Sequence, residues 1–303
     1  HEELEHVLAK HKGFPAALVF GSGFLANLGS ITAICGRGDH VLADRLVHAS
    51  LIDAIRLSGA ELTRFRHNDM EHLAECLTKT HSGKGRRLIV TESVFSMDGD
   101  LAPLTDLIPM AEQYGTMTLV DEAHASGVFG PHGSGLVSQY GLADRTNIAM
   151  STFSKALGGY GGAVACSTAM RDWLINAARP FIYSTALPPS VCAAALAALK
   201  ILDREPDLGE RLLAKAYYFR DQLSAQGIQT ASSASQIIPV MIGGNEEALA
   251  VSRALRERDI VVAAIRPPTV PVGTARLRVS VTVAHDNDDL ARAANELGGC
   301  MTA

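Results

Sequence analysis

The strongest constraint in this chain is a repeated passage from a short apolar strand, through a turn, into a helix-period segment. Residues 16–20 read as an apolar strand, Gly21-Ser22-Gly23 turns it, and a helix follows around 25–34. The pattern recurs as strand 41–43 with helix 50–57. It recurs again as strand 88–91, a turn at Asp98-Gly99-Asp100, and a helix with Pro103 in its first turn. Leu104, Leu107, Ile108 and Ala111 fall on the buried side of that helix. Strands at 116–120, 148–151 and 163–166 complete the series. Ahead of it, Leu4, Val7 and Leu8 share a helix face that stops at Gly13. Such alternation predicts an α/β fold, with a mostly parallel sheet covered by helices on both faces. Ligands of these sheets sit beyond the carboxyl ends of the strands, so the residues found there are the first functional candidates.

Past Pro180 the pattern changes. Pro188-Pro189 opens an alanine-rich helix through 202, Pro206 breaks it, and a second helix covers 208–225. A strand at 237–242, a helix near 246–256, strands near 260–264 and 276–282, and a helix from about 287 make a smaller α+β unit. The chain of 303 residues thus divides into a large domain over 1–195 and a small one over 196–303.

Composition removes several function classes. Lys and Arg number 27 against 32 Asp and Glu, a balance that weighs against nucleic acid as ligand. The apolar run 191–199 falls far short of the ~20 residues a membrane span needs, and no basic segment leads into an apolar signal region. Cys35, Cys76, Cys166, Cys192 and Cys300 are odd in number and form no CxxC pair. A disulfide frame or metal site is not expected from them. Buried, unreactive thiols in a reducing cytoplasm are.

The strand ends carry the chemistry. Gly21-Ser22-Gly23-Phe24 lets backbone amides approach an anion at a helix N-terminus, although many such turns use glycine for geometry alone. His48 opens the next helix and fits a ring stacked on a planar ligand, an acid–base group, or a helix cap. Ser96 fits a ligand donor or a plain turn residue. In Thr118-Leu119-Val120-Asp121-Glu122-Ala123-His124, an apolar strand delivers Asp121 to the carboxyl edge, where a lone carboxylate needs a cationic partner. A buried carboxylate facing a ring nitrogen keeps that nitrogen protonated, as a pyridine electron sink requires. A structural Asp bonded to a loop is the other reading. Lys155, in Ser151-Thr152-Phe153-Ser154-Lys155 ahead of a glycine run, suits an amine held in a desolvated or cationic setting, or else an ordinary exposed lysine, and Thr152 suits a phosphate contact. Together the turn, the histidines, the aspartate and the lysine fit a phosphorylated pyridine aldehyde.

These residues resemble the α-oxoamine synthase family of fold-type I pyridoxal 5'-phosphate (PLP) enzymes. The motifs are SGFLAN at 22–27, HAS at 48–50, SMDGDLAPL at 96–104, DEAHASGVFG at 121–130 and STFSKALGG at 151–159, and the likeness runs along essentially the whole chain. The resemblance implies a seven-stranded, aspartate-aminotransferase-like sheet. It implies that Lys155 holds the PLP aldehyde and shuttles protons, that Asp121 partners the pyridine nitrogen, that His124 donates to the ring hydroxyl, and that His48 stacks on the ring and contacts the substrate carboxylate that is lost. Gly23, Phe24, Ser96 and Thr152 match cofactor-contacting positions. Family active sites lie at a homodimer interface, and Thr185 matches a residue offered to the neighbouring subunit's phosphate.

The tail over 264–278 resembles members that condense L-alanine with a pimeloyl thioester, from pimeloyl-CoA or a pimeloyl carrier protein, in biotin synthesis. By that match Arg278 clamps the amino-acid carboxylate and Thr269 contacts substrate. Three alternatives stay open: a glycine-using member, such as a glycine C-acetyltransferase or 5-aminolevulinate synthase; a non-catalytic PLP-binding partner subunit; and an inactive truncated chain. Family members carry an additional N-terminal segment that contributes to the substrate channel. The chain opens at His1 on a helix without an upstream cap, so the expectation is that it binds cofactor better than it turns over.

Overall fold

A computed structural model describes residues 1–80 and 85–302. The chain forms two compact units. The first comprises His1–Val94 and Ala102–Gly209, and the second Phe95–Leu101 and Glu210–Ala303. The division thus falls beyond the 195/196 boundary read from the sequence, and the segment around Ser96 belongs with the second unit.

In the first unit the elements run α1 (Glu2–Lys12), β1 (Ala16–Phe20), α2 (Gly23–Ile34), β2 (His40–Asp44), α3 (Ala49–Ser58), β3 (Glu61–Phe65), α4 (Met70–Lys79) and β4 (Arg87–Glu92). They continue as α5 (Leu104–Gln113), β5 (Met117–Asp121), α6 (Leu136–Gln139), β6 (Ile148–Thr152), β7 (Gly162–Cys166), α7 (Thr168–Ala177), α8 (Arg179–Ile182) and α9 (Pro189–Arg204). One sheet of seven strands has the order β1-β7-β6-β5-β4-β2-β3. Strands β2 to β6 pair in parallel, and β7 runs antiparallel to both β6 and β1. The mostly parallel sheet is as expected. The reversal at β7 follows from its short connection, since a parallel crossover needs a dozen or more residues. With β7 reversed, β1 again points the same way as β2, β4, β5 and β6, so their carboxyl ends share one edge.

Helices flank both faces. Ala17 and Val19 pack with Leu4 and Leu8 of α1 and with Cys192, Ala195 and Leu199 of α9. Phe20 points the opposite way, and its ring meets Phe181 of α8 edge-on at 5.8 Å between centroids. Alternate residues of one strand therefore meet different helix layers. Gly13 ends α1 in the left-handed region (φ 76°), where its N–H and that of Phe14 cap the helix. Pro103 lies one residue before α5 rather than inside its first turn.

The second unit holds α10 (Leu208–Ala225), β8 (Ile237–Gly243), α11 (Asn245–Arg256), β9 (Ala263–Ile265), β10 (Ala275–Ser280) and α12 (Asn287–Thr302); α10 begins in the last residues of the first unit. Its antiparallel sheet has the order β8-β10-β9. Phe219, Leu223, Ile238, Val240, Leu255, Leu277 and Leu297 form its core. The strand expected at 260–264 begins only at Ala263. Among the described residues no helix is long and apolar enough to cross a membrane, and no cluster of His, Cys, Asp and Glu could hold a metal ion. Cys35, Cys76, Cys166 and Cys192 are buried free thiols, and Cys300 is half-buried. Burial pushes Cys35 and Cys166 up to about 12, which leaves both thiols protonated and inert.

Candidate active site

The shared carboxyl edge of the first unit surrounds a pocket of about 250 Å³. Gly23, Phe24, His48, Asp121, His124, Thr152 and Lys155 all line it, together with Asn27, Ser50 and Glu92.

The glycine turn is built by capping and close packing. Ser22 Oγ accepts from Leu25 N at 3.1 Å and starts α2, whose first residues Gly23 and Phe24 line the pocket. A Cβ on Gly23 would lie 3.2 Å from the Thr152 Cβ, which puts the turn and the threonine hydroxyl side by side. Thr152 Oγ1 donates to Gly161 O at 3.1 Å and stands 2.9 Å from Ser154 Oγ. Amides at a helix N-terminus and hydroxyls are the donors that an anion site uses.

Asp121 ends β5 and is 4% exposed. Its Oδ2 accepts from Asn27 Nδ2 at 2.8 Å and its Oδ1 from Ala123 N at 2.9 Å. Burial raises its pKa above the ordinary aspartate value, and these two donors with the His48 and Lys155 charges pull the other way. His48 caps α3: its Nδ1 accepts from Ser50 N at 3.2 Å, so the residue is both a helix cap and a wall of the pocket. His124 is half-buried on the turn after β5. Lys155 takes the exposed one of its two readings. Ser154, Lys155 and Ala156 lie on the exposed loop past β6, so the chain by itself does not desolvate that amine.

The other expected residues lie elsewhere. Thr185 is exposed in the segment before α9 and does not line the pocket. Ser96, Thr269 and Arg278 belong to the second unit. There Arg278 is half-buried on β10 and donates through Nε to Ser96 O at 2.6 Å. Thr269 is exposed just after the cis Pro267–Pro268 bond. The neighbouring Arg276 is buried and pairs with Asp98. Asn27 and Ser50 close the SGFLAN and HAS segments, where residue type alone assigns them no chemistry. Neither titrates near neutrality, and only their contacts reveal them.

A strand edge that collects an anion cradle, a buried aspartate and a lysine defines a class of protein, and the chain belongs to it: residues 1–297 match the aminotransferase class I and II family. More particularly, the chain is 49% identical over 295 residues to the 8-amino-7-oxononanoate synthase of Geobacter sulfurreducens, covering 97% of this chain and 75% of that protein. A high-resolution structure of SPT with PLP superposes with a TM-score of 0.94 at 35% identity, over 99% of this chain and 76% of that one. The 8-amino-7-oxononanoate synthase of Francisella tularensis superposes with a TM-score of 0.86 at 32% identity, over 98% of this chain and 85% of that one.

Proposed function

We propose that this chain is a PLP-dependent acyltransferase that joins L-alanine to the pimeloyl group of pimeloyl-CoA or a pimeloyl carrier protein. The products are 8-amino-7-oxononanoate, CO2 and the free thiol. The supporting observation is the gathering of cradle, aspartate, histidines and lysine around one pocket, in a chain whose relatives bear that enzyme's name. The site chemistry fits PLP: a cradle for a phosphate, a buried carboxylate for a ring nitrogen and an amine for an aldehyde.

Bound PLP supplies the electron sink for charge developing at the substrate Cα. Every other task falls to the chain. The amides at Gly23 and Phe24 would hold the phosphate, with the Thr152 hydroxyl once it turns its hydrogen from Gly161 O. Asp121, ionised opposite the ring nitrogen, holds a proton there and so gains the cationic partner its burial demands. His48 covers one ring face, and His124 donates to the ring hydroxyl. Lys155 Nζ is the amine that would hold the aldehyde, and once released as a free amine it would take the Cα proton from alanine and later return one. Arg278 pairs with the alanine carboxylate, Ser96 contributes a further polar contact and Thr269 meets substrate. The chain works as a cytoplasmic homodimer in which Thr185 is offered to the neighbouring subunit's phosphate.

Mass spectrometry after incubation with PLP, alanine and pimeloyl-CoA tests this reading. The expected product is 8-amino-7-oxononanoate, and preference for glycine over alanine would overturn the assignment. Lys155→Ala is expected to lower turnover by at least about 10²-fold, the lower end of what a positioned proton-transfer group contributes. It should also abolish borohydride trapping of PLP on the chain.

A further inference from the structure

Asn27 and Ser50 lie against the pocket, each 1% exposed, with no part in the chemistry above. They link its two ends. Asn27 Nδ2 stands 2.8 Å from Asp121 Oδ2 and 3.0 Å from Ser50 Oγ. Ser50 Oγ in turn stands 2.8 Å from His48 Nδ1, and Ser50 N donates to the same Nδ1 at 3.2 Å.

With Asp121 ionised, as the proposed function requires, the direction of every bond in this line is determined. A backbone N–H only donates, so His48 Nδ1 must present its lone pair. An ionised carboxylate only accepts, so the Asn27 nitrogen, and not its oxygen, faces Asp121. That orientation leaves Asn27 Oδ1 buried without a hydrogen-bond partner. Turning the amide over would set Oδ1 against the carboxylate oxygen, which is worse. The second hydrogen of Nδ2 goes to Ser50 Oγ. The serine oxygen accepts there, and its own hydrogen goes to Nδ1. Two donors thus converge on one ring nitrogen.

We infer that Asn27 and Ser50 form a one-way hydrogen-bond relay that fixes neutral His48 as the Nε2–H tautomer. The ring edge away from Ser50 is then a donor and has no lone pair. This gives His48 a definite chemistry within the function proposed above, on which that meaning rests. Nε2–H can hold a substrate carboxylate oxygen. It cannot take the Cα proton, which leaves that transfer to Lys155. Asn27 and Ser50 are positioning residues, and the amide that aims Asp121 is the one that sets the histidine.

Nitrogen-15 NMR of the histidine side chains reads the tautomer directly in the purified chain. It needs neither substrate nor turnover, so it stands apart from the product assay. The measurement is made at pH about 8.5, above the ordinary histidine value of about 6.5. The His48 signal is assigned by its loss in His48→Phe. The wild-type ring is expected to carry its hydrogen on Nε2. Ser50→Ala keeps the backbone donor but removes the hydroxyl, and the Nε2–H to Nδ1–H ratio should fall roughly fivefold, the fold-change of one hydrogen bond. A wild-type hydrogen on Nδ1, or an unchanged ratio in Ser50→Ala, overturns the relay. A chain that shows this tautomer yet makes no product would overturn the proposed function and leave the relay standing.

Discussion

Lys12→Met should unfold this protein more readily than any surface substitution, and the reason lies one residue from Asp121. Lys12 Nζ stands 2.7 Å from Glu122 Oε2, with the two side chains 1% and 0% exposed. The same ammonium donates to Ser134 O at 2.8 Å, and Glu122 Oε1 accepts from Val137 N at 2.9 Å. Gly135 presses on the carboxylate so closely that a Cβ there would collide with both oxygens, so Glu122 has no room to swing toward water. Methionine keeps the length of the lysine stem and removes its charge. Breaking a buried pair from one side costs about 3–5 kcal/mol, because the other charge is left without compensation. The donor lost at Ser134 O adds about 1 kcal/mol. Together these consume a large share of the ~5–15 kcal/mol a folded protein has. Glu122→Gln still accepts from Val137 N, so the double variant carries no buried charge. It should recover at least about 2 kcal/mol relative to Lys12→Met alone, since the dominant penalty is the orphaned charge. Urea unfolding of the wild type, both single variants and the double variant, followed by circular dichroism, gives the coupling. A Lys12→Met cost under about 1 kcal/mol, or a double variant no more stable than Lys12→Met, would refute the reasoning.

Two further predictions concern pH. Burial raises the Asp121 pKa in the folded chain, so folding favours its protonated form. That stabilisation is complete below the ordinary aspartate value and is lost as pH rises through the folded value. Without cofactor, Asp121→Asn should therefore gain stability relative to wild type as pH rises through that window, and urea midpoints that diverge in the opposite sense would contradict this; with PLP bound, its kcat should fall at least about 10²-fold. Burial, aided by the Lys12 charge, pushes His11 down to about 4. The unfolded chain then binds the extra proton between pH about 6.5 and about 4, so acidification through that window should cost up to ~3 kcal/mol. His11→Gln should flatten the profile of unfolding free energy against pH over the same interval.

Much of the sheet is legible in the sequence because its inner strands are apolar runs, as buried parallel strands must be. The edge strand β3 is not. Glu61 and Arg64 are exposed along it and only Phe65 is buried, a composition that protects an edge from pairing but hides it from pattern reading. The helices α4 and α7 fall in the same blind spot, since each buries only a few side chains. The anion turn, His48, Asp121 and Lys155 are legible because each follows a strand on one edge. The setting of Lys155 is not, for hydroxyl and small neighbours in sequence do not say what covers a loop.

Asp121-Glu122 shows where the limit falls. In the sequence the dipeptide is a pair of acids at a strand end, and only the first has a chemical reading. In the fold the two carboxylates find different partners. Asp121 faces the pocket and is met by Asn27, while Glu122 faces inward and is met by Lys12, 110 residues earlier. A lysine in the last turn of a helix reads as a partner of the helix dipole, not of a carboxylate so distant in sequence. Yet the two pairings depend on each other. The backbone that carries Asp121 into the pocket is pinned through Glu122 N to Met150 O and through its side chain to α1. The aspartate's direction is thus set from both sides: by an amide that touches it, and by an ion pair that touches only its neighbour.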